Sequence, residues 1–324
     1  MRCPRVCVVG GGGYVGTLLT RSLLDRGYRV TVFDAFWFGD HLGQHPALVK
    51  IKGDIRDTAL VQSAMRGHDA VILLACISND PMADLDPEFT KQVNLEAIQR
   101  LILAARALGL ARLVYASSTS VYGVQNIERV VEETPLKPIT LYSTYKAEIE
   151  RFLLQQVGNG FTGVIVRSST ASGCSPRMRL DLLVNLFSYL GLVKGVIAIE
   201  GGEQIRPLIH IQDLVEFYQL VLEADPVLVA GEAFNITSGN FTVLQVAEMV
   251  RDYTGCELTY AATVDGRSYP ADASKAARVL GYRTRRTIHD AMIEVCDAIR
   301  DGRIRTDDAS NFNLRRYKEL LAAS

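Results

Sequence analysis

The chain has 324 residues, 48% of them hydrophobic, and a formal net charge of −1 at pH 7. It is long enough for one large α/β domain with a smaller lobe, and its charge gives no reason to expect nucleic acid or an anionic membrane as a partner. No apolar run has transmembrane length, no signal peptide fits before the first strand, and the six scattered cysteines are typical of reduced core residues, so we expect a cytoplasmic protein.

The first predicted elements are a strand, a glycine-rich turn and a helix, which together make half of a dinucleotide-binding unit. Residues 6–9 are an apolar, β-branched run typical of a buried parallel strand, and helical spacing of apolar residues follows over 14–26. In such a unit Gly10 allows the tight turn, Gly13 lets the backbone approach a pyrophosphate, and Gly16 lets the helix pack closely on the strand. The N-terminus of the helix offers free N–H groups to the phosphates.

Asp34 ends the second predicted strand, which covers residues 28–33. It lies close to the spacing of about 20 residues at which dinucleotide-binding units place an acidic side chain. A carboxylate there accepts hydrogen bonds from the adenosine ribose and repels a 2′-phosphate, which favours NAD over NADP. The alternative is a flavodoxin-like sheet with a glycine-rich turn and no cofactor.

Strands and helices continue to alternate up to Arg167, which predicts a parallel, doubly wound, Rossmann-type sheet of the α/β class. Asp54 follows the third strand at the sheet edge where cofactors bind, and its alternative role is to cap the next helix. The loop histidines His41 and His45 have no third ligand near them, so we expect no metal site. After the second strand, the predicted strands are 48–52, 70–75, 112–116 and 163–167, and the predicted helices are 58–66, 87–108 and 141–156.

The regular alternation of strands and helices ends after Arg167, and a smaller C-terminal α/β substrate lobe is expected there. We predict a dinucleotide-binding domain over 1–167 and a substrate-binding lobe over most of 168–324, interleaved because main-sheet elements return around 205–240. The predicted elements of this part are strands 196–199 and 233–236 and helices 180–192, 214–223, 243–253, 274–280, 288–300 and 314–321.

Tyr142 and Lys146 are four residues apart at the start of a predicted helix, so their side chains share one face. A phenol is a poor base at neutral pH, but a nearby ammonium and oxidised nicotinamide stabilise the phenolate and lower its pKa. Ser118, at the end of the fifth strand, could hydrogen-bond the substrate oxygen on which Tyr142 acts. The alternative is an ordinary surface pair on a helix, and Tyr145 is a competing tyrosine that does not share the face of Lys146.

With these residues the chain resembles the extended short-chain dehydrogenases/reductases, specifically the NAD-dependent sugar-nucleotide epimerase/dehydratase family. The resemblance covers the chain to about residue 300. The motifs that carry it are Gly10-x-x-Gly13-x-x-Gly16, Asp34, Asp54-Ile55, Ser117-Ser-Thr-Ser-Val-Tyr-Gly123, Tyr142-x-x-x-Lys146, Arg206-Pro-Leu-Ile-His-Ile-Gln-Asp213 and Arg267-Ser-Tyr.

The resemblance implies a role for each matching position. Ser118, Tyr142 and Lys146 would be catalytic, with Tyr142 as the base and acid. Arg206 and Arg267 would grip a substrate diphosphate, a task that suits guanidinium geometry, although a structural ion pair is the alternative. Ser118 and Thr170 would also face the substrate. The implied NAD-binding residues are Gly10, Gly13, Tyr14, Val15, Gly16, Asp34, Asp54, Ile55, Ala75, Tyr142 and Lys146.

The chain departs from the family pattern after Arg167. Many relatives have an aromatic residue and an asparagine where this chain has Ser168 and Thr170, and the loop over 173–181 is also unusual. Arg177 and Arg179 in that loop could reach a phosphate or a carboxylate, or only be solvated on the lobe.

The expected activity is epimerisation of a nucleotide-diphosphate sugar by transient oxidation at C4. In the family, 4,6-dehydratases place Asp-Glu directly after the catalytic Ser or Thr, and decarboxylases place a Glu two residues after it. Here Thr119 and Ser120 occupy these positions, and neither can act as a carboxylate. A 4-ketosugar reductase, a 4,6-dehydratase and a UDP-glucuronate decarboxylase are the enzymatic alternatives.

A non-catalytic NAD-sensing protein is the alternative from another class, because a fold does not fix a function. An intact set of Ser118, Tyr142 and Lys146 argues against it. The family usually dimerises through the two long helices, here 87–108 and 141–156, so we expect a homodimer.

Overall fold

The structure is a computed structural model that describes residues 4–261 and 268–323. These residues form the strands β1 (Arg5–Val9), β2 (Arg29–Asp34), β3 (Leu48–Lys52), β4 (Ala70–Leu73), β5 (Arg112–Ser118), β6 (Thr162–Ser168), β7 (Thr170–Ser172), β8 (Val196–Glu200), β9 (Ile205–His210), β10 (Ala233–Ile236), β11 (Gly239–Thr242) and β12 (Glu257–Ala261). The main sheet has seven parallel strands in the order β10-β6-β5-β4-β1-β2-β3. The predicted α/β class with a Rossmann-type parallel sheet is confirmed.

Helices cover both faces of this sheet. The described residues form α1 (Tyr14–Asp25), α2 (Thr58–Met65), α3 (Asp80–Leu85), α4 (Pro87–Lys91), α5 (Ile98–Ala107), α6 (Leu141–Leu154), α7 (Leu183–Tyr189), α8 (Ile211–Glu223), α9 (Pro226–Val229), α10 (Val243–Thr254), α11 (Ser274–Leu280), α12 (Ile288–Arg300) and α13 (Asn313–Ala323). Successive residues of a strand point to opposite faces. In β1, Val6 and Val8 pack in the core that contains α1 and α8, whereas Cys7 and Val9 pack in the core of α2, α5 and α6.

The predicted long helix over 87–108 is interrupted. It consists of α4, a π-helical turn over Gln92–Ala97, and α5. Asn94 lies in that turn, where its side chain accepts a hydrogen bond from the Ile77 N–H at 2.7 Å and donates to the Ile77 carbonyl at 3.0 Å. The irregular turn therefore holds the loop that follows β4, in line with the frequent occurrence of π-bulges at functional sites.

One other helix prediction needs correction, and the alternative role considered for Asp54 does not hold. The helix predicted over 180–192 begins at Leu183, because Leu182 has an extended backbone and is its N-cap; the Leu180 N–H donates to the Asn311 carbonyl at 2.8 Å. Asp54 does not cap α2. Its carboxylate is bonded to Arg56, and Asp57 is the N-cap, accepting from the Leu60 N–H at 3.0 Å.

The lobe is built from two small sheets beside the main one. β9 lies between β7 and β11, and β8 pairs with β12 in parallel. Ile197, Ile199 and Leu208 of these sheets pack with α7, α10 and α12 in a separate core. The chain returns to the main sheet at α8 and β10, whereas β9 stays in the lobe.

Among residues 4–261 and 268–323, no helix has both the length and the apolar character needed to cross a bilayer.

Candidate active site

A cavity of about 850 Å³ runs from the glycine turn, past the carboxyl ends of the central strands, into the lobe. Its volume is in the upper part of the roughly 300–1,000 Å³ range of ligand pockets. Every predicted site residue that the structure describes lines this cavity; only Arg267 lies outside the described residues. The fold thus brings together side chains that are far apart in sequence, while their roles remain predictions.

The glycine turn leaves no room for side chains at two of its positions. Gly10 has φ +88°, and a Cβ there would stand 2.4 Å from the Ala75 nitrogen. A Cβ on Gly16 would stand 2.4 Å from the Gly10 carbonyl oxygen, so α1 packs directly on the turn. Gly13 is the N-cap of α1 and carries no capping side chain. The N–H groups of Tyr14, Val15 and Gly16 have no partner within the helix and are available to an anion.

The Tyr14 side chain has a structural contact. Its hydroxyl donates to the Gly173 carbonyl at 2.6 Å and accepts from the Asn185 side-chain amide at 3.0 Å. These bonds tie the glycine turn to the loop after β7. Because its hydroxyl is occupied, we expect Tyr14 to contact a cofactor through its main chain.

Asp34 lies beside the glycine turn at the end of β2. Its carboxylate accepts hydrogen bonds from the Gly12 N–H at 2.9 Å and the Phe36 N–H at 2.7 Å. Burial raises the pKa of this carboxyl group, while the two N–H bonds lower it. This position is the one from which an acidic side chain reaches the adenosine ribose in dinucleotide-binding folds.

Asp54, Ile55 and Ala75 line the same end of the cavity. The Asp54 carboxylate is held by the Arg56 guanidinium, with a shortest N–O distance of 2.7 Å, and its side chain is 42% exposed. Ile55 is buried, and the Ala75 N–H donates to the Val9 carbonyl at 2.9 Å. The three residues thus stand at the ends of β3 and β4, on either side of β1 and β2.

Ser118, Tyr142 and Lys146 lie together in the middle of the cavity. Ser118 ends β5, and its Oγ accepts hydrogen bonds from the Ser120 N–H at 3.1 Å and the Ser120 hydroxyl at 2.9 Å. Tyr142 and Lys146 occupy the first turns of α6, as their spacing predicts. The Lys146 ammonium donates to the Ala116 carbonyl at 2.6 Å and lies 5.5 Å from the centroid of the Tyr142 ring.

The surroundings of Tyr142 set the pKa of its phenol, which decides whether it can act as a base. Burial raises the pKa of the Tyr142 phenol well above its ordinary value, Cys76 and Asp80 raise it further, and Arg179 lowers it. The lowering that we predicted requires oxidised nicotinamide as well as Lys146. The protein alone therefore keeps Tyr142 as a neutral phenol.

Thr170 and Arg206 line the lobe end of the cavity. They belong to neighbouring strands, β7 and β9, whose pairing places Thr170 opposite Leu208. Tyr269 also lines this end, and the neighbouring Ser268 hydroxyl accepts from the Ile205 N–H at 3.1 Å. Ser268, the first described residue after position 267, is thus in contact with β9.

Sequence reasoning gave no role to Asp181 and Asn313, and it left open whether Arg177 and Arg179 reach a phosphate, a carboxylate or only solvent; both arginines are buried, and Arg179 reaches a carboxylate. Arg179 and Asp181 form a bidentate ion pair with N–O distances of 3.0 and 2.8 Å, and Arg179 also donates to the Ser78 hydroxyl at 3.4 Å. Arg177 is 2% exposed and stacks on Phe38. Asn313 comes from the C-terminal helix, for which the sequence offers no motif. Among the described residues, no group of three or more His, Cys, Asp or Glu side chains could hold a metal ion.

The donor set fits a dinucleotide. The cavity offers a glycine cradle that a Cβ would fill, the N-terminus of α1 for a pyrophosphate, and a carboxylate for ribose hydroxyls. These features lie at the β1–β4 switch point of the sheet, where open α/β sheets bind their ligands.

Comparisons with known proteins agree with this arrangement. UDP-glucose 4-epimerase of Lactobacillus helveticus is 27% identical over 312 residues, which cover 89% of this chain and 94% of that protein. dTDP-glucose 4,6-dehydratase of Streptomyces niveus is 27% identical over 319 residues, which cover 92% and 94%. The solved structure of DesIV, a dTDP-glucose 4,6-dehydratase from Streptomyces venezuelae with NAD bound, is similar with a TM-score of 0.84 and 26% identity, covering 92% of this chain and 98% of that one.

The family model for the NAD dependent epimerase/dehydratase family matches residues 6–237, more than half of the chain. The cavity, the cofactor features and the relatives lead to the same assignment. The protein is an NAD-dependent enzyme and belongs to the NAD-dependent epimerase/dehydratase family of the extended short-chain dehydrogenases/reductases.

Proposed function

We propose that the enzyme epimerises a nucleotide-diphosphate sugar by oxidising and re-reducing it at C4. The observation that carries this proposal is that the two residues directly after Ser118 carry hydroxyl groups and not carboxylates. Thr119 and Ser120 follow it, the Ser120 hydroxyl is bonded to Ser118 at 2.9 Å, and the Thr119 hydroxyl faces the Ser168 carbonyl. Carboxylate chemistry beside the reacting oxygen is what dehydration and decarboxylation require, and these two positions do not supply it.

The chain's own residues perform the proton chemistry in this proposal. Bound NAD supplies a hydride acceptor and returns the hydride. Tyr142 removes the proton from the C4 hydroxyl while Ser118 hydrogen-bonds the same oxygen. Lys146 keeps a positive charge near the phenolate. After the sugar turns its other face, Tyr142 returns the proton and the configuration at C4 is inverted.

Arg206 holds the substrate diphosphate in this proposal, together with Arg267 and with Thr170 beside the sugar. A guanidinium suits this task because its fork matches phosphate oxygens and its charge is permanent. Two of the similar proteins act on UDP-glucose and dTDP-glucose, which supports a nucleotide-diphosphate sugar as the substrate class.

Dehydration is the second candidate function. Asp80 lines the cavity and raises the pKa of Tyr142, so a carboxylate does stand near the reacting position. Asp181 also lines the cavity, but its carboxylate is bound by Arg179. For dehydration, Asp80 would have to supply the proton transfer that 4,6-dehydratases perform with the Asp-Glu pair after the catalytic Ser or Thr.

Proton NMR of sugar-nucleotide mixtures with the enzyme and catalytic NAD separates these reactions. We expect one UDP- or dTDP-hexose to be converted to its C4 epimer without accumulation of NADH. A 4-keto-6-deoxy product would establish dehydration instead, and carbon dioxide from UDP-glucuronate would establish decarboxylation. An enzyme stripped of NAD is the control and should leave every sugar unchanged.

Asp34 leads to a prediction about cofactor preference. Its carboxylate would face the 2′-phosphate of NADP, so NAD should bind at least about tenfold more tightly, equivalent to about 1.4 kcal/mol. Calorimetric titration of the cofactor-free enzyme with both dinucleotides checks this. Asp34→Asn should narrow the difference, and equal affinities for the unchanged enzyme would contradict the prediction.

We also propose a homodimer formed by the α4–α5 region and α6. Leu103 and Leu154 are 48% and 44% exposed on these two helices, which suits an apolar helix-to-helix contact. Sedimentation velocity of the purified enzyme tests it, and a monomer at micromolar concentration would contradict it. The cytoplasmic location stays a prediction.

A further inference from the structure

Arg177 is a buried arginine in the cofactor part of the cavity. The residue is only 2% exposed, and its guanidinium carbon lies 3.8 Å from the centroid of the Phe38 ring. One Nη donates to the side-chain oxygen of Asn313. It lines the same cavity as Gly12, Gly13 and Asp34.

No carboxylate of the described residues is in ion-pair contact with this guanidinium, and Asp181 and Asp34 act on its charge only from a distance. Within residues 4–261 and 268–323, the Arg177 Nε also has no hydrogen-bond partner. Asp34, the acid nearby, directs its two oxygens to the N–H groups of Gly12 and Phe36. Arg177 still carries its charge at neutral pH, because burial lowers its pKa only to about 9. A buried, unpaired cation is costly unless an anion joins it.

The neighbours of Arg177 identify the anion. Asn313, which holds its guanidinium, also donates to the Ser78 hydroxyl at 2.8 Å, in the loop that follows β4. Arg177 is therefore tied to that loop through Asn313, and its charge also lowers the pKa of Asp34, whose carboxylate is bonded to the Gly12 N–H of the glycine turn. The pyrophosphate of a dinucleotide crosses from one to the other at this switch point. Arg179 does not compete for it, because Asp181 already neutralises Arg179.

The geometry points to Arg177 as a ligand of the NAD pyrophosphate, with Asn313 as its positioning residue. The C-terminal segment supports this arrangement. The Arg316 Nε donates to the Trp37 carbonyl at 3.0 Å, and the Tyr317 ring stacks on Trp37 with centroids 5.8 Å apart. The inference rests on NAD as cofactor and not on which sugar reaction the enzyme catalyses.

Binding measurements with Arg177→Met test the inference. For protein stripped of cofactor, we expect the affinity for NAD and for ADP to fall about 10- to 100-fold, the loss expected for a charge-assisted hydrogen bond to phosphate. Adenosine, which has no phosphate, should keep its affinity. Arg177→Lys should recover part of the loss, and Asn313→Ala should weaken NAD binding less than Arg177→Met does.

The melting temperature of the cofactor-free protein gives a readout that does not depend on activity. Removing a buried charge that has no ion-pair partner among the described residues should leave this temperature unchanged or raise it, although NAD binding weakens. Arg283→Met, at an exposed arginine remote from the cavity lining, is the matched control and should change neither quantity. Unchanged NAD affinity in Arg177→Met, or an equal loss for adenosine, would overturn the assignment. If Arg177→Met does not fold, Arg177→Lys and Asn313→Ala decide by the same comparison of NAD with adenosine.

Discussion

Tyr142→Phe is expected to lower kcat by about 10²- to 10⁴-fold, the range that a positioned general acid–base contributes. The variant loses only the phenolic oxygen, so the ring keeps its place in the cavity beside Lys146. Affinity for NAD should change little, because Tyr142 loses only its hydroxyl while the other implied NAD-binding residues, at the glycine turn, at Asp34 and at Lys146, are unchanged. Single-turnover measurement of NAD reduction by the authentic sugar substrate, with NAD affinity measured in parallel, checks both halves of the expectation.

Tyr145→Phe is the matched control for this experiment. Tyr145 belongs to the same helix, α6, but does not line the cavity. Its hydroxyl is therefore expected to be dispensable for turnover. Near wild-type activity of Tyr142→Phe, or equal losses in the two variants, would mean that Tyr142 is not the base.

Glu150→Gln is expected to destabilise the fold by about 3–5 kcal/mol, the usual cost of leaving one partner of a buried ion pair uncompensated. The Arg167 guanidinium binds the Glu150 carboxylate with N–O distances of 2.7 to 3.1 Å, and their side chains are 8% and 2% exposed. Burial alone lowers the pKa of Arg167, but the hydrogen bonds to Glu150 outweigh it and raise that pKa. The Arg167 Nη1 also donates to the Tyr122 hydroxyl at 2.7 Å, which in turn donates to Asn235 of β10 at 2.8 Å.

Urea unfolding of the cofactor-free protein measures this effect. Asp301→Asn is the control, because Asp301 pairs with Arg303 at 3.1 Å while both side chains are 60% exposed. An exposed pair of this kind contributes little, so the control should unfold at the wild-type urea concentration. If Glu150→Gln also unfolds there, the buried pair does not stabilise the fold.

The cofactor half of the site could be predicted from the sequence because its signals are local. The glycine turn, the β-branched strand before it and Asp34 at the end of β2 all belong to one continuous βαβ unit. Tyr142 and Lys146 were placed on one face by their spacing alone. That Ser118 lies beside them could be expected only from the resemblance to the family, because Ser118 ends β5 whereas Tyr142 and Lys146 belong to α6.

The remaining features depend on long-range contacts that have no sequence pattern. Nothing near Asn313 indicates that it reaches the cofactor cavity from the C-terminal helix. The π-helical turn over Gln92–Ala97 depends on the bonds between Asn94 and Ile77, which only the folded chain brings together.

The late return of β10 to the main sheet affects how the chain must be synthesised and folded. In the pairing of β10 with β6, Ala233 is opposite Ile165 and Ile236 is opposite Ser168. One edge of β6 therefore has no neighbouring strand until residue 236 has been made. A nascent chain that ends near Arg167 exposes the unpaired backbone of Val164, Ile165 and Val166, all apolar, as a template for pairing with other chains. Sheet closure through such a distant strand is slow, because loop closure precedes the contacts that stabilise it. Fragments cut at residue 167 are therefore expected to aggregate, whereas the chain extended through β10 stays in solution.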